Sequence, residues 1–410
     1  MEEQPTPDSQ RVPREAYMAF TVHLAWALHR YGAPAHRLEE VLQLMSDRLH
    51  LPGQFFSMPT ALLASFGSWE NQKTMLLRVE PGDVDLQKQV KLDALAEAVA
   101  SGQLDPREGV EQIDAVVRAP ARYGTALSLV CFSLASGAAS RFFGGGWREI
   151  VVSCVTGLVV GTMANFMGQR TSTSRVFEPL AAVVASLFAA LGAWWLGSLS
   201  TSIAVLGGLI VLVPGLTVTT ALNELATRNL MSGTGRLMGA VMIFLVMGVG
   251  VALGTELAQL VPGGAGTTLA LPTWTEGVAL GVGLVAFAVL LRVPARETPF
   301  TFVIGAMIYA TARFGSSAMG PDLAVGIAAF LLGTSANLYA RLRRRPSAIV
   351  LVPSLMLLVP GSIGFRSLVS LLEHNVLSGV ETAFRMIMVG VSIVTGLLLA
   401  NLALPPRRAL

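Results

Sequence analysis

Leu212-Val213-Pro214-Gly215 returns 146 residues later as Leu358-Val359-Pro360-Gly361. Without any gap, Leu222, Leu225, Asn229, Ser232 and Gly233 then match Leu368, Leu371, Asn375, Ser378 and Gly379, which makes nine identities in 22 positions. Apolar segments resemble one another by composition, but composition does not keep a polar Asn and Ser at fixed spacing. The two stretches therefore read as copies of one unit: an apolar helix ending at Pro-Gly, an amphipathic stretch, and Asn-x-x-Ser-Gly leading into another apolar helix. Proline lacks an N–H and glycine tolerates unusual dihedrals, so each Pro-Gly is expected to break its helix and free backbone groups. The alternative is an ordinary helix end followed by a surface helix.

Around the repeat the chain is apolar. Its 410 residues are 53% hydrophobic and 13% charged, where an average soluble chain carries about 25% charged residues. Uncharged runs at 150–168, 179–223, 237–255 and 346–365 reach the length that spans a ~30 Å hydrocarbon core. Ten apolar segments follow residue 120: 125–141, 150–168, 177–196, 202–213 with its continuation, 237–260, 277–291, 299–312, 323–339, 347–359 with its continuation, and 384–404. The sixth and seventh are short and need tilting. Five spans separate equivalent points of the repeat, and five is odd, so the halves 121–262 and 263–410 should sit in opposite orientations. The fold expected is a polytopic α-helical membrane protein of about ten spans, built as an inverted five-plus-five repeat. Secondary transporters use such halves to expose a central site to either side in turn. Channels and passive scaffolds are the alternatives.

Arginines orient this arrangement. Fourteen lie on flanks sharing the side of residue 120, and five, Arg141, Arg148, Arg313, Arg366 and Arg385, on the other. Positive-inside then puts both termini in the cytoplasm and the chain in the cytoplasmic (inner) membrane. The basic excess is a membrane-flank effect and no sign of a nucleic-acid partner.

Residues 1–120 differ, with 17 Asp/Glu against 11 Lys/Arg. Residues 1–16 read as a disordered tail, without the apolar core and cleavage site of a secretory signal. Residues 17–120 predict a small cytoplasmic α+β domain. Its helices are 16–31 and 34–49, broken at Gly32-Ala33-Pro34, then 85–100 and 106–117, the last with Asp105-Pro106 as cap. Stretches 55–66 and 74–79 suit a hairpin. Cys131 and Cys154 fall in apolar runs, which argues against a disulfide or Cys-based metal site. His23, His29 and His36 lack metal spacing, and neither a Walker pattern nor Gly-x-Ser-x-Gly occurs, so no metal, cofactor or ATP-driven pump is expected. Arg37 with Glu39 and Glu40 is either a solvated helix face or a ligand cluster, and an enzyme residing in this domain is the rival to transport.

Val213-Pro214-Gly215-Leu216-Thr217, followed by Asn223-Glu224-Leu225 and Ser232-Gly233-x-x-Arg236-Leu237, resembles the signature of the threonine/serine exporter family. Gly32-Ala33-Pro34-Ala35-His36-Arg37-Leu38-Glu39-Glu40, Pro59-Thr60-Ala61 and Ser101-Gly102 resemble its amino-terminal domain, with His36 where a threonine is common. Asn337, Arg345-Pro346, Pro353 and Leu358-Val359-Pro360-Gly361-Ser362 resemble the smaller partner of split members, so the resemblance, over about residues 17–405, is to a fused single-chain form. It implies ten membrane helices, a cytoplasmic amino-terminal domain and export of small amino acids driven by an ion gradient; a proton is the coupling ion expected, though the residues do not specify it. Split relatives linked to dicarboxylates keep that substrate class open. Partners expected are the small amino acid, the coupling ion, the bilayer and a possible second copy of the chain.

Ionisable groups inside apolar segments are site candidates by default. The expected path runs along Pro214, Gly215, Thr217, Thr219, Thr220, Asn223 and Glu224, and along Pro360, Gly361 and Ser362. Glu224 either receives a substrate ammonium or coupling proton, or is an interfacial carboxylate paired with Arg228 four residues on. Glu178 suits a first-turn carboxylate at a helix start. Asn165 and Asn337 suit hydrogen bonds across helices. Arg236 and Arg366 complete the secondary candidates; Arg366, like Arg313 and Asp322, lies on the side away from residue 120, where an arginine suits either a substrate carboxylate or a plain interface. His374 is a relay or a solvated residue. Gly157/Gly161, Gly250/Gly254 and Gly277/Gly281 are spaced for close helix approach.

Overall fold

Pro13 precedes helix α1 (Arg14–Arg30) and Pro34 precedes α2 (Ala35–Arg48). Between them Gly32 takes a φ of +88°, which an L side chain resists. The computed structural model describes residues 13–167, 176–262, 266–359, 361–372 and 375–406; the expectations for residues 1–12, Pro360 and His374 lie outside them. Residues 55–66, expected as one arm of a hairpin, form two strands. Pro59 has no N–H for a ladder, and the chain turns at Pro59-Thr60. The result is a meander, β1 (Gly53–Met58), β2 (Ala61–Phe66) and β3 (Lys73–Arg78), antiparallel in that order, with Met58 opposite Ala61 and Phe66 opposite Lys73. Alternation turns Leu62, Ala64 and Phe66 inward. Two capped helices follow. Asp85 accepts the Lys88 N–H at 2.9 Å before α3 (Leu86–Ala100), and Asp105 accepts that of Arg107 at 2.8 Å before α4 (Pro106–Arg118). Phe20, Leu24, Leu28, Leu38, Leu42, Leu92 and Ile113 fill the core of this unit, which ends at Pro120.

Ala121–Arg407 form the second unit. Its helices are α5 (Thr125–Phe142), α6 (Trp147–Met167), α7 (Phe177–Leu196), α8 (Thr201–Leu209), α9 (Gly215–Ala226) and α10 (Leu230–Ala258), then α11 (Trp274–Leu290), α12 (Thr298–Met319), α13 (Pro321–Arg343), α14 (Ala348–Leu355), α15 (Gly361–Leu372) and α16 (Val376–Ala403). Six of these, α5, α6, α7, α10, α13 and α16, are long and apolar enough to cross a membrane, and α11 is a shorter apolar helix. The fourth and ninth apolar segments are each broken, into α8 with α9 and α14 with α15. Shifted by 146 residues, the second six helices overlie the first six in order, and α9 and α15 coincide at both ends.

The repeated residues have repeated work. Leu225 packs where a β-carbon on Gly233 would stand 2.7 Å from its Cγ, and Leu371 packs on Gly379 in the same way. The Asn229 N–H donates to the Glu224 carbonyl at 2.8 Å, and that of Asn375 to Ser370 at 2.9 Å. Contacts between the halves respect the same exchange: α5 packs on its counterpart α11, α9 on α15, and α10 on α15 as α9 does on α16. The contact of α8 with α15 lacks such a counterpart among the larger contacts, so the exchange holds for most of the contacts between the halves. Small residues set the closest helix pairs. β-carbons on Gly161 and Gly250 would stand 2.9 Å from Phe132 Cβ and 2.7 Å from Ala182 Cβ. The third glycine pair serves no such approach, since Gly277 has nothing within 4 Å and Gly281 meets only Phe302 at 3.8 Å.

Candidate functional site

Val213 donates its N–H to Leu209 O at 3.3 Å and Val359 donates to Leu355 O at 3.1 Å, so the two helix breaks begin with one hydrogen-bond pattern. Beyond the breaks, Gly215 opens α9 and Gly361 opens α15. These two glycines meet. A β-carbon on Gly361 would lie 2.8 Å from the Gly215 α-carbon and 2.8 Å from Val213 Cγ1, and one on Gly215 would lie 3.1 Å from the Gly361 α-carbon. Two helices therefore start back to back, with first-turn N–H groups and positive dipole ends converging on one place inside the protein.

A cavity of about 440 Å³ reaches this crossing, and Val213, Gly215, Val359, Gly361 and Ser362 line it there. Ligand sites commonly enclose about 300–1,000 Å³. Its other end is charged. Glu276, the third residue of α11, has Oε1 3.6 Å from a guanidinium nitrogen of Arg141 and Oε2 3.5 Å from Nε of Arg313. The Tyr309 hydroxyl donates to Oε2 at 3.5 Å. Arg141 is 7% exposed, and it also donates to Thr275 Oγ1 at 2.7 Å and to Pro272 O at 3.3 Å, which fixes it across the α5–α11 contact. The cavity thus runs from the exposed Arg313 to the buried glycine crossing; among the described residues Glu276 and Arg313 are the charged ones that line it, and Arg141 pairs with Glu276 without lining it.

Sequence reading did not weigh Glu276 or Tyr309, and gave Arg141 only as an orientation mark. With the sixth apolar segment taken from Gly277, Glu276 stays one residue outside; the helix instead starts at Trp274. A lone carboxylate at the head of an apolar run was the available signal.

The other expected path residues are spread more widely. Gly215, Gly361 and Ser362 line the cavity. Pro214 is the residue before α9, Thr217 and Thr220 are half-buried, and Thr219 is buried with its hydroxyl donating to Gly215 O at 3.2 Å. Glu224 is fully buried, and Nε of Arg236 donates to both its oxygens at 3.1 Å, so its partner is Arg236 and not Arg228, whose φ is +67°. Asn223 accepts from the Thr227 hydroxyl through its carbonyl at 2.9 Å. Asn337 ties α13 to α16, donating to Asn401 Oδ1 at 2.9 Å and Leu404 O at 2.8 Å. Asn165 and Glu178 are half-buried in the last turn of α6 and the first turn of α7. Arg366 stacks on Phe143, 5.0 Å from the ring centre. Among the described residues, no cluster of three His, Cys, Asp or Glu is placed to hold a metal.

Several apolar helices long enough to cross a membrane, with a cavity among them, define a multi-pass membrane protein. Residues 19–258 match the family model of threonine/serine exporters, and residues 276–403 match a second threonine/serine exporter model. The chain belongs to the threonine/serine exporter family, in a fused single-chain form. It is similar to pheromone-regulated membrane protein 10 of Pichia sorbitophila, 28% identical over 89% of this chain and 37% of the relative. The proteins of that name from Debaryomyces hansenii and Saccharomyces cerevisiae strain YJM789 are 28% and 25% identical, over 90% and 89% of this chain and 39% and 48% of theirs. The chain therefore spans less than half the length of these relatives. No solved structure matches it.

Proposed function

We propose that this chain exports threonine or serine by alternating access, its two halves standing inverted in a cytoplasmic membrane as ten spans with both termini inside. The observation that carries this reading is the back-to-back start of α9 and α15 at the end of a charged cavity. Half-helix N-termini meeting at an interface of repeats suit a substrate carboxylate, and Glu276 suits an ammonium. Two like halves that can exchange conformation turn the site from one face to the other, and a proton gradient drives the cycle. The α+β unit stays on the cytoplasmic side.

Purified protein in liposomes loaded with labelled threonine is expected to release it when a proton gradient is imposed, and unlabelled serine is expected to compete. Release no faster than from empty liposomes would end the proposal. The pairing of two arginines with one carboxylate favours a second reading, a dicarboxylate, which labelled succinate in the same vesicles distinguishes. For threonine, Glu276→Gln is expected to slow release about tenfold or more, because a hydrogen bond to a charged group contributes about 1.5–3 kcal/mol. That variant also leaves the buried Arg141 with only Thr275 and Pro272, so its melting temperature is expected to fall and release is compared per folded protein; an unchanged release rate would remove Glu276 from the site.

A further inference from the structure

A second cavity, of about 650 Å³, lies on the other side of Phe143, whose ring borders both. Ser186, Ser200, Ser202, Thr255, Gln259 and Ser370 supply polar groups to its wall, and among the described residues Arg366 is the one charged residue lining it. No carboxylate of the described residues forms an ion pair with Arg366, whose recorded contact is the face of Phe143. Arg366 is exposed and its charge is not taken up by a carboxylate of the described residues, whereas Arg141, Arg236 and Arg313 each have one. Arg366 also breaks the repeat, since 146 residues earlier stands Thr220. It follows Gly361 by five residues along α15, a rise of about 7 Å.

We propose that Arg366 binds the carboxylate of a small organic acid in this second cavity, a station beside the glycine crossing that Phe143 separates from the first. Stacking on Phe143 holds the guanidinium plane while leaving its N–H edges for a bidentate carboxylate, and the surrounding hydroxyls suit a hydroxy- or amino acid. The inference rests on the transport reading for the ligand being threonine or serine, but not for its being a carboxylate.

The test uses the full chain in nanodiscs and measures binding of threonine, of threoninamide, which lacks the carboxylate, and of succinate. The wild type is expected to prefer threonine over threoninamide by about tenfold, as one charge-assisted bidentate contact would give. In Arg366→Gln one of two carboxylate-dependent binding events is lost, leaving that at the glycine crossing, with threoninamide binding unchanged. Arg366→Lys, which keeps the charge without the fork, lies between, and serves should the glutamine variant fail to fold. Two threonine-binding events retained in a folded Arg366→Gln, or equal losses for threonine and threoninamide, overturn the proposal. Wild-type binding of succinate but not threonine, lost in Arg366→Gln, sustains the station while ending the amino-acid reading; binding of none of the carboxylates ends both.

Discussion

Replacing Gly361 by valine is expected to abolish export, with release from loaded liposomes falling at least tenfold. A β-carbon at this position meets main chain, the Gly215 α-carbon at 2.8 Å, as well as Val213 Cγ1. A flexible side chain can rotate away from such a clash, but a helix start cannot, and inserting volume into a packed site costs about 1–3 kcal/mol. Either the halves separate at the crossing or α15 starts later; both move the converging N–H groups that the substrate carboxylate would meet. Gly215→Val meets Val359 and Gly361 from the other half and should fail in the same way. The control is Gly277→Val, where nothing lies within 4 Å and export should be unchanged. Wild-type release from a folded Gly361→Val protein would show that the crossing is not part of the path.

The second large effect concerns Glu224. Its carboxylate is fully buried and held by Nε of Arg236 through both oxygens. Removing one partner strands the other charge, at about 3–5 kcal/mol, whereas replacing both by apolar residues of similar volume is often near neutral. Glu224→Leu is thus expected to lower the melting temperature sharply and to reduce the amount of protein recovered from membranes. Glu224→Leu with Arg236→Leu should recover most of the loss. Thermal unfolding of the four proteins of this cycle measures the coupling, and an unaltered single variant would refute the clasp. Export by the double variant decides a further question. Near-wild-type release makes the pair framework, while a stable double variant without export restores Glu224 to the path.

The reach of the sequence differed by feature, for physical reasons. Pro-Gly and the Leu/Gly pairs 225/233 and 371/379 act within a few turns of their own chain, so their spacing reveals both the repeat and the break. Pro59-Thr60 was a local signal too, but a run of strand-forming residues concealed that it ends one strand and begins another. Ion partners are another matter. Glu224 has Arg228 one turn away, yet the fold-back of α10 on α9 offers Arg236 instead. Glu276 and Arg141 are brought together by the packing of α11 on α5, which no spacing encodes. The meeting of Gly215 with Gly361 follows from the exchange relation between the halves, for which the duplicated residues are a hint but not a geometry.

That exchange relation has an energetic corollary. Were the halves identical, the two access states would be mirror conditions of one another and equally populated in the absence of ligand and gradient. They are not identical: where the first half has Glu224 and Arg236, the second has Ser370 and Thr382. On the alternating-access reading, a clasp that is stronger in one access state than in the other weights the equilibrium, and about 1.4 kcal/mol of such imbalance makes one state ten times as abundant as the other. On that reading the divergence of the two copies sets the resting direction of the cavity, and grafting Glu and Arg onto positions 370 and 382 is expected to shift it.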